Sequence, residues 1–169
     1  MDVHTAIRTR RAVRKFTDQT VPEEVVLDIV NAGRLAGSAK NMQPWKFILV
    51  RDRSALVWLS ECGTYAGHLA GAAFAVAVLT FDPAQRWSIM FDAGRAVQNM
   101  VLEAWQHGIG TVMATIYEPE RARELLQFPE DWHIRVAVSF GYPAEDTTAR
   151  PPRKEGRQQL AEVLRWDTW

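Results

Sequence analysis

The longest periodic stretch of the chain runs from Ser88 to His107. Its apolar residues Ile89, Ala93, Ala96, Val97, Met100, Val101 and Ala104 fall on one broad helical face, and Gly108 supplies a C-terminal stop. A helix with so wide an apolar face must be covered along most of its length, so this segment predicts the central, most buried helix of the fold. Around it lie four short runs of branched, aromatic and small apolar residues: Trp45–Val50, about Ala73–Thr80, Gly110–Ile116 and Ile134–Phe140. Each is bounded by Pro, Gly or Asp and reads as a strand. Helices and strands are intermixed, which predicts a sheet covered by helices on both faces.

Shorter helices fill the intervals. Asp2 is placed to cap a helix carrying Val3, Ala6 and Ile7, which ends in a cluster of cations. Thr20 and Glu23 have capping-box spacing, Pro22 stands near the first helical position, and Val26, Ile29 and Val30 form one face up to Gly33 or Gly37. Ser54 opens a helical stretch to about Cys62, and Pro119 to Gln127 reads as another. After a polar stretch from Ala144 to Arg157, the tail regains apolar residues at Leu160, Val163, Leu164, Trp166 and Trp169. Such a tail must bury its large side chains somewhere, and a partner subunit is one candidate.

At 169 residues, with 47% hydrophobic and 24% charged content, the chain is expected to be one domain spanning 1–169. Twenty Lys plus Arg balance twenty Asp plus Glu, so no global field gathers nucleic acid or an anionic membrane. No apolar run reaches the ~18 residues of a membrane span, and the charged start (Asp2, His4, Arg8) is unlike a signal peptide. The single cysteine, Cys62, allows no internal disulfide, and a reducing, cytoplasmic compartment is expected. His4, His68, His107 and His133 show no metal-ligand spacing, so no metal is expected, and each reads as a surface or hydrogen-bonded residue. Gly108-Ile109-Gly110 begins like a dinucleotide fingerprint but has Met113 where the third glycine belongs and follows a helix rather than a strand. Neither a phosphate-binding Gly-Lys loop nor a Gly-x-Ser-x-Gly elbow occurs.

Two cationic groups and one polar loop remain. Arg8, Arg10, Arg11, Arg14 and Lys15 lie near one end of the chain, and Arg150, Arg153, Lys154 and Arg157 near the other. Such runs read either as solvated faces or as two halves of an anion site, since guanidinium forks match a phosphate monoester in charge and geometry. The loop Ser38 to Pro44 carries Asn41 and Gln43, which read as a capped turn or as ligand-facing amides.

Arg10-Arg11-Ala12-Val13-Arg14-Lys15-Phe16 resembles the Arg-Arg-Ser-x-Arg-x-Phe opening of the FMN-dependent nitroreductase family. Ala36 to Phe47 is similar to that family's Ala-Pro-Ser-x-x-Asn-x-Gln-Pro-Trp-x-Phe loop. Asp92, Gly94, Gln98, Asn99, Leu102 and Ala104, followed by Gly108-Ile109-Gly110, resemble its long helix and next strand. Gly141-Tyr142-Pro143, Arg153-Lys154 and Trp166 match its C-terminal pattern, so the resemblance spans almost the whole chain.

The resemblance implies an α+β fold, a three-layer α-β-α sandwich with a mainly antiparallel sheet, working as a homodimer with FMN at the subunit boundary and 144–169 as an arm onto the partner. It implies that Arg10 and Arg153 bind the FMN phosphate, with Arg11 nearby and Lys154 as helper. Arg14 would sit at the pyrimidine edge of the flavin, where a cation stabilises the reduced, anionic ring. Asn41 and Gln43 would meet the ring edge or ribityl chain, and a main-chain N–H among Ala114, Thr115 and Ile116 would meet N5. NADH or NADPH would be the reductant, and a nitroaromatic, quinone or similar small planar molecule the acceptor, in a ping-pong hydride mechanism. The flavin carries the redox step, so no catalytic side chain is expected. Trp87 and Phe91 read first as core or dimer-contact aromatics and second as a stacking surface for a planar substrate.

Two departures bear on this. Ala12 stands where the family usually has a serine hydroxyl. Only Pro83 to Arg86 separates Asp82 from Trp87, where many relatives carry part of a substrate lid, so a more open pocket is expected. Two other readings stay open: a flavin or deazaflavin carrier or sensor without nicotinamide turnover, and a colourless interaction module using the Arg8 to Lys15 patch.

Overall fold

The computed structural model of the chain describes residues 1–144 and 156–169. Its centre is β2 (Phe74–Thr80), buried at all seven positions, as a short uninterrupted apolar run must be when both faces of a sheet are covered. β1 (Trp45–Val50), β4 (His133–Gly141) and β3 (Gly110–Thr115) complete a four-stranded sheet of order β1-β2-β4-β3, with every neighbouring pair antiparallel. β1 and β4 therefore begin, and β2 and β3 finish, at one end of the sheet. β1 and β3 are its two edges.

Helices cover both faces. On one, Val26 and Ile29 of α2 (Glu23–Arg34) and Ala93, Val97, Met100, Val101 and Ala104 of α4 (Ser88–Gln106) bury Phe74, Val76, Val78, Val138 and Phe140. The rings of Phe74 and Phe140 stack there at 4.7 Å. On the other, Leu56 and Leu59 of α3 (Arg53–Ser60), Leu69 of a 3-10 turn (Gly67–Leu69) and Ala122 of α5 (Pro119–Leu126) cover Ala75, Ala77, Ala114 and Ala137. This is the expected three-layer α+β sandwich. The first helix, α1 (Val3–Thr9), is fastened to α4 where Trp105 Nε1 donates to Thr9 Oγ1 at 3.0 Å.

Several helix boundaries differ from the sequence reading. Thr20 makes no capping box, because α2 starts only after Pro22, whose φ of −55° and ψ of 142° hold the chain extended until Glu23. Gly33 lies inside α2 rather than at its end, and a Cβ there would fall 2.2 Å from Met100 Cε, so the glycine lets α2 and α4 approach. The cap of α3 is Asp52, which accepts from Ala55 N at 2.8 Å, rather than Ser54. Asp2 caps α1 as expected, and Gly108, at φ 72°, stops α4. The tail from Gly156 to Trp169, with a short helix α6 (Leu160–Val163), is exposed throughout, Trp169 completely at 101%. Among the described residues no helix is long and apolar enough to cross a membrane.

Candidate functional site

The cationic segment leaves α1 at Arg10, which caps that helix and turns the chain extended at φ −52° and ψ 135°. From there it crosses the sheet at the start of β3 and the end of β4. Val13 N donates to Thr111 O at 3.0 Å and Thr17 N to Tyr142 O at 2.9 Å. Gly110 and Gly141, paired across β3 and β4, make the crossing possible: a Cβ on Gly110 would meet Val13 at 2.5 Å, and one on Gly141 would meet Phe16 at 2.9 Å. Two absent side chains thus let the arginine segment lie against the strands.

Arg10 is half-buried, and its guanidinium is less firmly protonated than usual because burial, Arg157 and Arg11 all oppose its charge. Arg157 is the C-terminal cation that the structure brings to Arg10; sequence reasoning placed it in the cluster without giving it a role. No carboxylate pairs with Arg10 among the described residues. Arg11 is engaged locally, its Nη1 donating to the carbonyls of Arg8, Thr9 and Arg10 at 3.0, 3.0 and 3.1 Å. These are acceptors that the end of α1 leaves unpaired. Arg153 and Lys154 lie outside the described residues. Converging cations without a counter-ion are the donor set that a phosphate monoester matches.

At the other end of β3, Ala114 and Ile116 are buried and Thr115 is exposed. Ile116 N donates to Arg135 O at 2.9 Å, while on the far side of β3 Thr111 O accepts from Val13. By the alternation of antiparallel pairing, the N–H groups of Met113 and Thr115 therefore point off the free edge of the sheet. Of the three expected flavin contacts, Thr115 is the one with an outward amide.

The loop of Asn41 and Gln43 precedes β1. Lys40, Asn41 and Gln43 hold φ of 53°, 53° and 48°, a left-handed backbone that costs a non-glycine residue roughly 1–3 kcal/mol. Ser38 Oγ accepts from Gln43 N at 2.8 Å, and the buried carboxylate of Asp92 on α4 accepts from Ala39 N at 3.1 Å. A firmly mounted loop thus presents exposed amides. It lies at the opposite end of the sheet from Arg10 and Arg14 and beside the opposite edge, so one chain does not unite the two sets. Trp87 and Phe91, 73% and 67% exposed at the start of α4, meet edge-on at 5.3 Å. They are surface aromatics in the single chain rather than core.

Two hollows stand elsewhere. One of about 80 Å³, between α4 and the sheet, is lined by Val78, Met90, Val97 and Met113 and is smaller than a ring-sized ligand needs. A wider one beside Asp52, Trp58 and Arg121 lies on the surface of α3 and α5, where Arg121 is already paired with Glu61 and Glu118. Burial pushes the Cys62 thiol up, opposite to what a nucleophile needs. Sequence reasoning gave no functional role to His68, which stands beside the arginine segment with its Nδ1 2.8 Å from Ser139 Oγ. Its partner is 71 residues away, so no local signal marked it.

The model of the nitroreductase family matches residues 7–65 and 57–142. A protein of Archaeoglobus fulgidus with the provisional name NADH dehydrogenase/NAD(P)H nitroreductase is 38% identical over 149 residues, covering 83% of this chain and 84% of its own. The NADH dehydrogenase of Thermus thermophilus is 28% identical over 184 residues, covering 86% and 89%. The structure of an FMN-dependent nitroreductase from Clostridium difficile superposes with a TM-score of 0.86 at 25% identity, covering 99% of this chain and 100% of that one.

Proposed function

This chain belongs to the nitroreductase family, and from that premise we propose that it is an FMN-dependent NAD(P)H oxidoreductase that reduces small planar acceptors such as nitroaromatics or quinones. The observation that carries the reading is a half-buried Arg10 whose charge Arg157 and Arg11 oppose and with which no carboxylate pairs among the described residues. A bound phosphate monoester relieves that repulsion and supplies the missing acceptors. FMN in this position would accept hydride from NAD(P)H and pass it to the acceptor.

The residues of the chain bind, orient and shield. Arg10 and Arg157, with Arg153 and Lys154, hold the phosphate, while Arg11 secures the helix end from which Arg10 projects. Arg14 sets a positive charge at the pyrimidine edge. The outward amide of Thr115, between Ala114 and Ile116, serves as donor to N5. Asn41 and Gln43 come from a second copy of the chain, because in one copy they lie beside the edge of the sheet opposite to the one that carries Arg10, Arg14 and Thr115. Trp87 and Phe91 line the acceptor's approach at that boundary. The working form is then a homodimer of single domains, with 144–169 as the arm, in the cytoplasm.

The test is the visible spectrum of purified protein under anaerobic conditions. Bound flavin should bleach with NADH or NADPH and recolour on adding a quinone or nitroaromatic. A coloured protein that nicotinamide leaves unchanged would make it a carrier instead. A protein that takes up no FMN, or an Arg10→Ala/Arg153→Ala double variant that keeps it tightly, would overturn the phosphate assignment.

A further inference from the structure

β4 carries one residue more than β2 where the two strands pair. Val78 pairs with Val136 but Leu79 pairs with Ile134, which leaves Arg135 as the extra residue of a β-bulge. In a regular strand Ile134 and Val136 would share a face. Here Ile134 packs into the core beneath α3 and α5, while Val136 packs on the α4 side. Arg135 is turned to that same side, where it lines the hollow of about 80 Å³ between α4 and the sheet. The bulge thus re-aims a side chain at a cavity, and the side chain is a cation.

The lining of this hollow is apolar except at Arg135 and Thr80. Thr80 is buried and Arg135 exposed, so a hydroxyl lies within the hollow and a guanidinium at its rim. Neither side chain has a hydrogen-bond or ion-pair partner among the described residues. Met90 and Met113, 40% and 60% exposed, bring two polarizable thioethers to the opening. Gly94 leaves the α4 side of the hollow open, since a Cβ there would meet nothing within 4 Å. A mostly apolar cavity with a few convergent polar groups is what a small molecule needs. The volume decides which part of it enters: the hollow is too small for a ring but has room for a carboxylate, which a guanidinium meets with paired donors.

We propose that Arg135 and Thr80 form a carboxylate subsite, with the ring of a small aromatic acid resting outside it on Met90 and Met113. Arg135 is then a specificity-determining residue that selects acidic over neutral acceptors. The subsite adjoins the end of β3, because Thr115 pairs with Val136 and Ile116 N donates to Arg135 O at 2.9 Å. The acceptor role rests on the reading that Thr115 meets the flavin; the anion subsite stands without it. A nicotinamide dinucleotide's ribose phosphate suits this place less well, since it lies at the far end of that molecule from the hydride carbon.

Fluorine NMR of para-fluorobenzoate, titrated into the purified protein with and without added FMN, reads the subsite without turnover, and para-fluorobenzamide is its neutral counterpart. The benzoate should bind more tightly than the benzamide. Arg135→Met should weaken the benzoate roughly 10- to 100-fold relative to the benzamide. Arg135→Lys should restore part of the preference, and Thr80→Val, which keeps the shape and removes the hydroxyl, should lower it by a smaller factor. In turnover, the ratio of kcat/KM for para-nitrobenzoate over para-nitrobenzamide should fall in the same order. A benzoate that binds no more tightly than the benzamide, or equal losses for both probes in Arg135→Met, would overturn the subsite. A KM that rises for NADPH alone in Arg135→Met would overturn it too, because the arginine would then read the reductant's phosphate. Benzoate binding that follows Arg135 while the turnover ratio of flavin-loaded protein does not would overturn the role in acceptor choice. A protein that takes up no flavin overturns the proposed function instead, and the fluorine titration still decides the subsite.

Discussion

Arg10 and Arg11 are adjacent and identical in type, yet their surroundings separate them. Arg10 is half-buried among like charges, while Arg11 turns back on the carbonyls of its own helix. A charge-assisted hydrogen bond is worth about 1.5–3 kcal/mol, so Arg10→Met should weaken FMN binding roughly 10- to 100-fold in a flavin-fluorescence titration. Arg11→Met should leave that affinity within a few-fold and lower the melting temperature instead. The Arg-Arg motif carried the expectation of a phosphate site, but the different surroundings of the two arginines depend on where α1 stops, and a helix end is what sequence fixes least. His68 was less legible still, because its burial comes from β3, β4 and the arginine segment together. Its pKa in the fold lies below its ordinary 6.5. The folded state therefore binds the proton less readily than the unfolded chain, so the stability this gives is full above about pH 6.5 and is lost as pH falls through the lowered pKa. Melting temperatures measured from pH 8 to pH 5 should show this decline in the wild type and a shallower one in His68→Gln.

At the scale of elements, apolar periodicity located the long helix, the four strands and the sheet with two covered faces, since burial dictates those patterns directly. What it missed were contacts between elements. Gly33 reads as a helix stop until Met100 of α4 is seen against it. Gly63 gave no signal at all, although a Cβ there would lie 2.2 Å from the carbonyl oxygen of Thr115. Next to it, the carbonyl of Cys62 accepts from Tyr117 N and Glu118 N at 2.9 and 3.1 Å, so this loop sets where β3 ends. Backbone cannot yield as a flexible side chain does, so Gly63→Ala should destabilise the protein by about 1–3 kcal/mol in denaturant unfolding. Because the displaced carbonyl belongs to Thr115, hydride transfer to bound FMN should also slow, while FMN affinity, set by the arginines at the other end of β3, should change little. Stopped-flow reduction and a binding titration on the same variant separate the two effects.

For the whole molecule, the amides of Asn41 and Gln43 and the cations of Arg10 and Arg14 lie at opposite ends and beside opposite edges of the sheet, so no flexing of a single chain unites them. The surface also carries large apolar side chains that a second copy would cover: Trp87, Phe91, Leu160, Trp166 and Trp169 are between 67% and 101% exposed. The family motifs in the sequence carried the expectation of a dimer, but the single chain shows only the halves that a second copy would complete. If a twofold axis joins them, each site takes arginines from one chain and amides from the other, and assembly and cofactor binding become one equilibrium. Sedimentation at micromolar protein should then give a dimer. Removing residues 160–169, or replacing Trp166 and Trp169 by Ser, should shift the species towards monomer, and the flavin content should fall in step. Dilution of the wild type should release FMN with the same concentration dependence as dissociation, and added FMN should hold the dimer together. A monomer that keeps one FMN per chain at full affinity would break this linkage, because the arginines alone would then suffice and the mounted loop before β1 would have no ligand to face.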